Sequence, residues 1–237
     1  MRSHVPVNRT ASRVGAGASL ALCMYYGVAW PLLADWGATP EEVEERLPGD
    51  EVIDDPASCT TRATSIRADP SAVWPWLVQI GTDRAGWYSY DRLERLVGVP
   101  VRSADRVHEE WQHLRVGDRV CLAPPGWMGV AAGVSLPVVQ IDPGRCVVLR
   151  QSPPESPWDG IWSFHVRAER EGRSRVVIRS RTAGPHGFAR AVAPLGGLIP
   201  AVMEIGMLHG LRSRVERADR GSGGGSPAST PAVGEPW

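Results

Sequence analysis

The sequence predicts an α+β domain in which a curved antiparallel sheet wraps around a long C-terminal helix, preceded by a hydrophobic helix near the N terminus. Apolar and polar residues alternate through much of 119–182, which is typical of half-buried strands. The turn sequences Asp142-Pro143-Gly144 and Glu171-Gly172 predict antiparallel hairpins. After Gly184-Pro185 the apolar period becomes helical. Because such a sheet buries one face and one amphipathic helix can cover it, the two patterns favour this architecture.

The individual elements follow from local patterns. β-Branched residues over 60–68 predict a strand, and Asp69-Pro70 then begins a helix whose apolar residues have helical spacing up to Ile80. A second short helix is expected over 88–97. The remaining strands and the long helix are predicted, in chain order, at 119–123, 134–141, 146–151, 161–168, 175–182 and 188–217.

Composition excludes several classes of protein. The chain has 237 residues and a formal net charge of zero, which argues against a general nucleic-acid binder. All basic residues are arginines, so Schiff-base chemistry and a P-loop lysine are excluded. The four cysteines form no C-x-x-C pair, and free thiols are expected, with one bridge among Cys59, Cys121 and Cys146 as an alternative.

The N-terminal part of the chain has a membrane-like pattern. Residues 14–33 are uncharged and follow Arg2, Arg9 and Arg13, and twenty helical residues would cover about 30 Å, the thickness of a bilayer core. We expect a single-pass membrane protein with a cytoplasmic amino terminus. A cleaved signal peptide and a helix packed on a soluble cytoplasmic domain are the alternatives.

Five segments are expected along the chain. The sequence Thr39-Pro40-Glu41-Glu42 has capping-box spacing and predicts a short helix over 40–46. The acidic region around it is expected to be a solvated spacer, or alternatively a recruiting surface. The segments are a basic N terminus at 1–13, the anchor at 14–33, the acidic spacer at 34–56, the folded domain at 57–220 and a disordered tail at 221–237.

Short motifs resemble those of a known superfamily. They are WGAT at 36–39, LPGDE at 47–51, AVWPWLVQ at 72–79, GWYSYD at 86–91, and the continuation Trp111-Gln112 and Val116-Gly117-Asp118. These motifs resemble the START-like SRPBCC superfamily, the polyketide cyclase/dehydrase and lipid-transport proteins of helix-grip fold, over about 36–218. The resemblance implies a helix-grip domain. It leaves the function open, because the superfamily contains both carriers and cyclases.

The expected gap between the sheet and the long helix is the candidate ligand site. Such a gap is apolar and suits a small hydrophobic molecule, with polar-tipped aromatics supplying hydrogen bonds. The alternative is that these side chains only form the core. The candidate ligand-binding residues are Trp87, Tyr88, Tyr90, Asp91, Trp111, Trp162, Phe164, Met203, Glu204 and Met207.

Three histidines and one glutamate are candidates for metal binding or acid–base chemistry. His108 and His113 are five residues apart, about 140° around a helix, so they cannot share one metal ion. His165 should face solvent or a polar rim, because Trp162 and Phe164 occupy the opposite face of its strand. Glu204 would have a raised pKa if it faced the gap, whereas on an exposed stripe or beside an arginine it would be ordinary.

Three functions remain open from the sequence. The first is a membrane-tethered protein that binds a small hydrophobic ligand without covalent chemistry, with no catalytic residue, metal or cofactor. The second is a cyclase/dehydrase-like enzyme that uses pocket acid–base groups such as Tyr88, Tyr90, Asp91 or Glu204. The third is a structural or interaction domain with a filled core. The expected partners are the small molecule and a membrane through 14–33, with no nucleic acid.

Overall fold

The computed structural model describes residues 22–90, 98, 102–151, 159–184 and 188–223. Within these ranges six strands form one curved antiparallel sheet in the order β1-β6-β5-β4-β3-β2. The strands are β1 (Ser58–Ile66), β2 (Arg119–Ala123), β3 (Val134–Asp142), β4 (Cys146–Gln151), β5 (Gly160–Arg170) and β6 (Arg173–Thr182).

In the described part of the chain, four α-helices accompany the sheet. They are α1 (Trp30–Ala34), α2 (Pro40–Glu44), α3 (Pro70–Val78) and the long α4 (Phe188–Gly223). The predicted capping box is present at α2, where the Thr39 hydroxyl accepts from the Glu42 N–H and the Glu42 carboxylate accepts from the Thr39 N–H. The predicted mixed α+β class, the strands and the long helix are therefore confirmed, and α4 extends six residues beyond the expected 188–217.

The prediction of a second short helix over 88–97 is wrong for its first residues. Residues 88–90 are not helical, and Tyr88 has a left-handed φ of 57°. Residues 91–97 lie outside the described ranges. A left-handed conformation at Tyr88 is incompatible with an α-helix at that residue. It is uncommon for a tyrosine and cannot be predicted from helix propensities.

One face of the sheet, which we call the inner face, packs against α3 and α4. Alternate residues of β5 and β6, including Phe164, Val166, Val176 and Ile178, belong to the main hydrophobic core. The helix contributes Met207, Leu208 and Leu211. Burial of these side chains in one continuous cluster is what fixes α4 on the sheet.

The opposite, outer face is covered by residues 35–55, which we call the covering segment. Its Glu42 carboxylate is buried and accepts from Arg175 at 2.6 Å and Arg167 at 3.0 Å. Asp50 is also buried and pairs with Arg179 at 2.8 Å. The expectation of a solvated acidic spacer is therefore wrong at these positions. The acidic side chains neutralise arginines on the outer face, a pairing that a charge run alone cannot reveal.

The covering segment also bonds to the backbone of β1. The Trp36 carbonyl oxygen accepts from the Ala63 N–H at 3.0 Å, and the Asp35 carboxylate accepts from the Thr61 N–H at 3.3 Å. The Trp36 ring then contacts the His209 ring of α4 at 5.0 Å between centroids. The segment thus wraps around the β1 side of the sheet onto the long helix.

The N-terminal helix is short in the part of the chain that the structure describes. It runs over 22–34, with a π-helical stretch at Tyr25–Ala29 before α1. No helix within the described ranges has both the length and the hydropathy needed to cross a bilayer. The first eight residues of the predicted span, 14–21, lie outside those ranges. The end of this helix packs on the domain, because the Trp30 ring lies against Gly197 of α4 and Ala34 is buried.

All four cysteines are free. Cys146 is buried, Cys121 is half-buried, and Cys23 and Cys59 are exposed. The bridge considered among Cys59, Cys121 and Cys146 is therefore not formed. The predicted tail begins inside α4, and its residues 224–237 lie outside the described ranges.

Candidate functional site

Three polar side chains meet where the inner face of the sheet is covered by α4. Arg62 lies on β1, Ser180 on β6 and Glu204 on α4. Arg62 is paired in register with Ile178, a core residue, so strand alternation points its guanidinium toward the helix. Ser180 lies two residues further along β6 on the same face.

These side chains form a connected hydrogen-bond network. Arg62 Nη1 lies 2.6 Å from Glu204 Oε2, and Ser180 Oγ donates to Glu204 Oε1 at 3.3 Å. Arg62 also donates from Nη1 to Thr60 Oγ1 at 3.2 Å and from Nε to the Leu33 carbonyl oxygen at 2.8 Å. The guanidinium therefore joins the N-terminal helix, β1 and α4 at one point.

The ion pair is almost fully buried. The side chain of Arg62 is 2% exposed and that of Glu204 is 10% exposed. Burial raises the pKa of Glu204 above its ordinary value, and the neighbouring Arg62 and Ser180 only partly offset this. Glu204 is thus both paired with an arginine and shifted in pKa, although the sequence pattern suggested these as alternatives.

Aromatic side chains form the wall beside this network. Trp162 pairs in register with Ser180, and its ring lies 4.7 Å from that of Phe164 and 5.5 Å from that of Trp87, between centroids. The Trp162 Nε1 is buried and has no hydrogen-bond partner among the residues that the structure describes. A buried indole N–H without a partner is costly, and such groups in native proteins call for an explanation.

The loop over 86–90 is held against α4 by small residues of the helix. A Cβ at Gly210 would collide with the Tyr88 carbonyl oxygen, and one at Gly206 would lie 2.5 Å from the Tyr90 ring. Tyr88 is fully buried, its hydroxyl accepting from Gln79 Nε2 at 2.8 Å and donating to a backbone carbonyl. Burial raises the Tyr88 pKa, so this hydroxyl stays neutral and serves as a hydrogen-bonding group.

The structure brings most of the predicted ligand-binding residues to the inner face, but not all of them. Those that lie in or against the main core are Trp87, Tyr88, Trp111, Trp162, Phe164 and Met207. Met203 is half-buried next to Ser89, with Ser89 Oγ 3.7 Å from its sulfur, and Glu204 is buried. Tyr90 is exposed, and Asp91 lies outside the described ranges. Their roles in ligand binding stay predictions.

Sequence reasoning missed Arg62, Ser180 and Gln79. Arg62 and Ile66 are four positions apart on a predicted strand. Because side chains at even spacing share one face of a strand, this places a charge on the apolar face. That signal was readable in the sequence, whereas its partner Glu204 is 142 residues away and only the fold joins them. Gln79 is fully buried and accepts from the His108 N–H at 3.0 Å, which fastens the loop before β2 to the end of α3.

His165 lies on the predicted face of β5, but the expectation that it faces solvent or a polar rim is wrong. It is buried on the outer face under the covering segment, with Nε2 2.9 Å from Ser163 Oγ. Burial and the charge of Arg179 lower its pKa to about 4, so it is neutral near pH 7. His108, by contrast, lies 3.1 Å from Glu110 and stacks on Trp111.

Three solved structures that resemble this chain are distant from it. A solution structure from Thermobifida fusca is 15% identical, covering 67% of this chain and 93% of its own, with a TM-score of 0.44. A protein from Arthrobacter aurescens is 14% identical, covering 81% and 99%, with a TM-score of 0.41. An HSP90 activator from Plasmodium falciparum is 9% identical, covering 65% and 94%, with a TM-score of 0.38. At scores below 0.5 these likenesses carry no argument about function. No protein-family model and no curated protein matches the chain.

Proposed function

We propose that this chain binds a small, largely apolar molecule non-covalently between the inner face of the sheet and α4. The observation that carries the proposal is the buried Trp162 N–H, which has no partner among the described residues. It lies on a predominantly apolar face, and Trp162 is paired in register with Ser180, which binds Glu204. Ligand sites for small molecules combine apolar lining with a few placed polar groups in this way. The resemblance of the sequence to START-like SRPBCC proteins supports the same reading.

The chemistry of the wall limits the ligand. Rings of Trp87, Trp162 and Phe164 offer flat apolar surface, and the indole N–H offers one donor. The only ionised groups in this network, Arg62 and Glu204, neutralise each other. We therefore expect a neutral, mostly apolar ligand that carries a hydrogen-bond acceptor such as a carbonyl oxygen.

The test uses the full chain and the neutral fluorophore 6-propionyl-2-dimethylaminonaphthalene, which is apolar and carries one carbonyl group. Saturable binding with blue-shifted emission is expected. Met203→Trp, which adds a large ring beside Glu204, should weaken binding at least about tenfold, because a clash or lost contact of about 1.4 kcal/mol has that effect.

A matched control keeps this experiment specific. Val116→Trp adds the same ring at an exposed apolar position in the turn before β2 and should leave binding unchanged. Equal effects of the two substitutions, or the absence of saturable binding by the parent chain, would contradict the proposal. Solvent extraction of the purified chain followed by mass spectrometry provides a second measurement that is independent of the fluorophore.

A second candidate function rests on the raised pKa of Glu204. A carboxylate with a raised pKa in a desolvated site is suited to remove a proton next to a bound carbonyl group, as a cyclase/dehydrase-like reaction requires. Its ion pair with Arg62 would have to open for this role. A rate that is unchanged in Glu204→Gln on any turned-over carbonyl substrate would reject Glu204 as the base.

We also propose that the chain is tethered to a membrane through 14–33. The support is the uncharged run itself and the three arginines that precede it. Extraction of the expressed full chain at alkaline pH tests this. Retention in the membrane pellet is expected, and release into the supernatant would contradict the tether.

A further inference from the structure

An apolar patch lies at one end of the molecule, on two helices that pack together. Of the ten large hydrophobic residues that are exposed in the described ranges, six lie on these helices. The six, which we call the apolar patch, are Leu22, Met24, Val28 and Leu32 on the N-terminal helix and Leu198 and Ile199 on α4. The Trp30 ring against Gly197 joins the two helices beside Leu198.

The two helical stretches that carry the apolar patch contain no charged residue. Neither 22–34 nor 191–203 contains an acidic or basic residue. On the C-terminal sides of these stretches the first charges are Asp35 and Glu204, which bind the Thr61 N–H and Arg62, whereas Arg190 directly precedes the second stretch. Two uncharged helical stretches with exposed apolar side chains are typical of a surface that binds a protein or a membrane.

The sequence that precedes the N-terminal helix indicates which of these the patch binds. Residues 14–21 continue the uncharged sequence directly into Leu22, and Arg2, Arg9 and Arg13 precede them. Apolar surface next to a basic flank is the pattern that binds a lipid surface. The rim of a protein–protein interface is usually polar, and the two stretches contribute no charged side chain to such a rim.

We infer that the apolar patch docks on a lipid bilayer, with Leu198 and Ile199 of α4 inserted beside the N-terminal helix. This inference rests on the proposed tether and extends it to the long helix. The Arg62–Glu204 network lies directly behind the patch, since Arg62 binds the Leu33 carbonyl oxygen and Glu204 follows the uncharged stretch of α4. The proposed ligand site would then lie next to the bilayer.

The experiment places an environment-sensitive fluorophore on α4. Ile199→Cys is labelled with a nitrobenzoxadiazole group in a chain whose exposed thiols are removed by Cys23→Ser and Cys59→Ser. On phosphatidylcholine vesicles the emission should shift to the blue and should be quenched by brominated acyl chains. The same label at Val116→Cys should show neither effect, because Val116 precedes β2, at the opposite end of the strand order from β1.

Charge insertion gives a second, independent readout. Leu198→Glu with Ile199→Glu should lower the vesicle partition coefficient about tenfold or more, because two apolar side chains lose their burial in lipid. The matched control is Val130→Glu with Val116→Glu. Its positions are 41% and 60% exposed against 41% for Leu198 and 66% for Ile199, and it should leave partition unchanged.

The possible outcomes distinguish the docking of α4 from the proposed membrane tether and the proposed ligand site. A chain that floats with vesicles while the label at 199 stays in water overturns the docking and leaves the tether intact. A chain that does not float overturns both. A label at 199 that is shielded without vesicles, in a chain that elutes as a dimer, assigns the patch to a second copy and also overturns the docking. Fluorophore binding by the vesicle-free chain reports on the ligand site separately.

Discussion

The buried pair of Arg62 and Glu204 allows a quantitative prediction. Arg62→Met keeps much of the length of the side chain but leaves the Glu204 carboxylate, 10% exposed, without a counter-charge. Removing one partner of a buried ion pair costs about 3–5 kcal/mol of unfolding free energy. For a domain of this size that corresponds to a fall in Tm of roughly 6–20 °C.

The double variant Arg62→Met with Glu204→Leu makes the prediction specific. It removes both charges and replaces them with apolar groups of similar volume, which is often neutral or stabilising. We expect its unfolding free energy to lie within about 1 kcal/mol of the parent, although the single variant is strongly destabilised. Urea unfolding followed by tryptophan fluorescence measures all three chains.

The pH dependence gives this reasoning a second check. Because the pKa of Glu204 is raised in the folded state, the folded chain binds this proton more tightly than the unfolded chain does. Its contribution to stability therefore falls as pH rises from the ordinary value of 4.5 through the raised value. Glu204→Gln should lack this slope. A single variant as stable as the parent, with an unchanged pH profile, would refute the view that the pair is buried and ionised.

Three further predictions concern the surroundings of the site. Because burial lowers the pKa of His165 from 6.5 to about 4, stability should fall by about 3 kcal/mol as pH drops between those values, and a His165→Gln chain should lose this dependence in urea titrations. Gly210→Ala should lower Tm, since its Cβ meets the Tyr88 backbone, whereas Gly27→Ala, with open space around it, should leave Tm unchanged or raise it slightly. Tyr88→Phe leaves the Gln79 amide short of one acceptor and should cost about 1–3 kcal/mol by chemical denaturation; a smaller loss would mean that the amide finds another acceptor.

The sequence predicted the elements better than it predicted what covers them. The strands and α4 follow from apolar periods of two and 3.6 residues, and these periods survive because each element buries one face. The period also placed Trp162 and Phe164 on the inner face. It could not show that the outer face is buried as well, so His165 was expected near solvent and Glu42 in a solvated spacer.

The missing information was long-range pairing of charges. Glu42 meets Arg175 across 133 residues, and Arg62 meets Glu204 across 142. A charge run in the sequence looks the same whether its partners are water or a buried guanidinium. Only the fold decides, because it sets which arginines lie opposite the acidic side chains and how much water remains between them.

The backbone contacts of Asp35 and Trp36 have a consequence for how the chain can be shortened. β1 is an edge strand of the sheet. Edge strands carry unpaired N–H groups that can pair with strands of other chains. Here the Thr61 and Ala63 N–H groups are already occupied by these two residues. A fragment that starts at Ala57 would uncover this template for aggregation, so a well-behaved truncation has to begin ahead of Asp35.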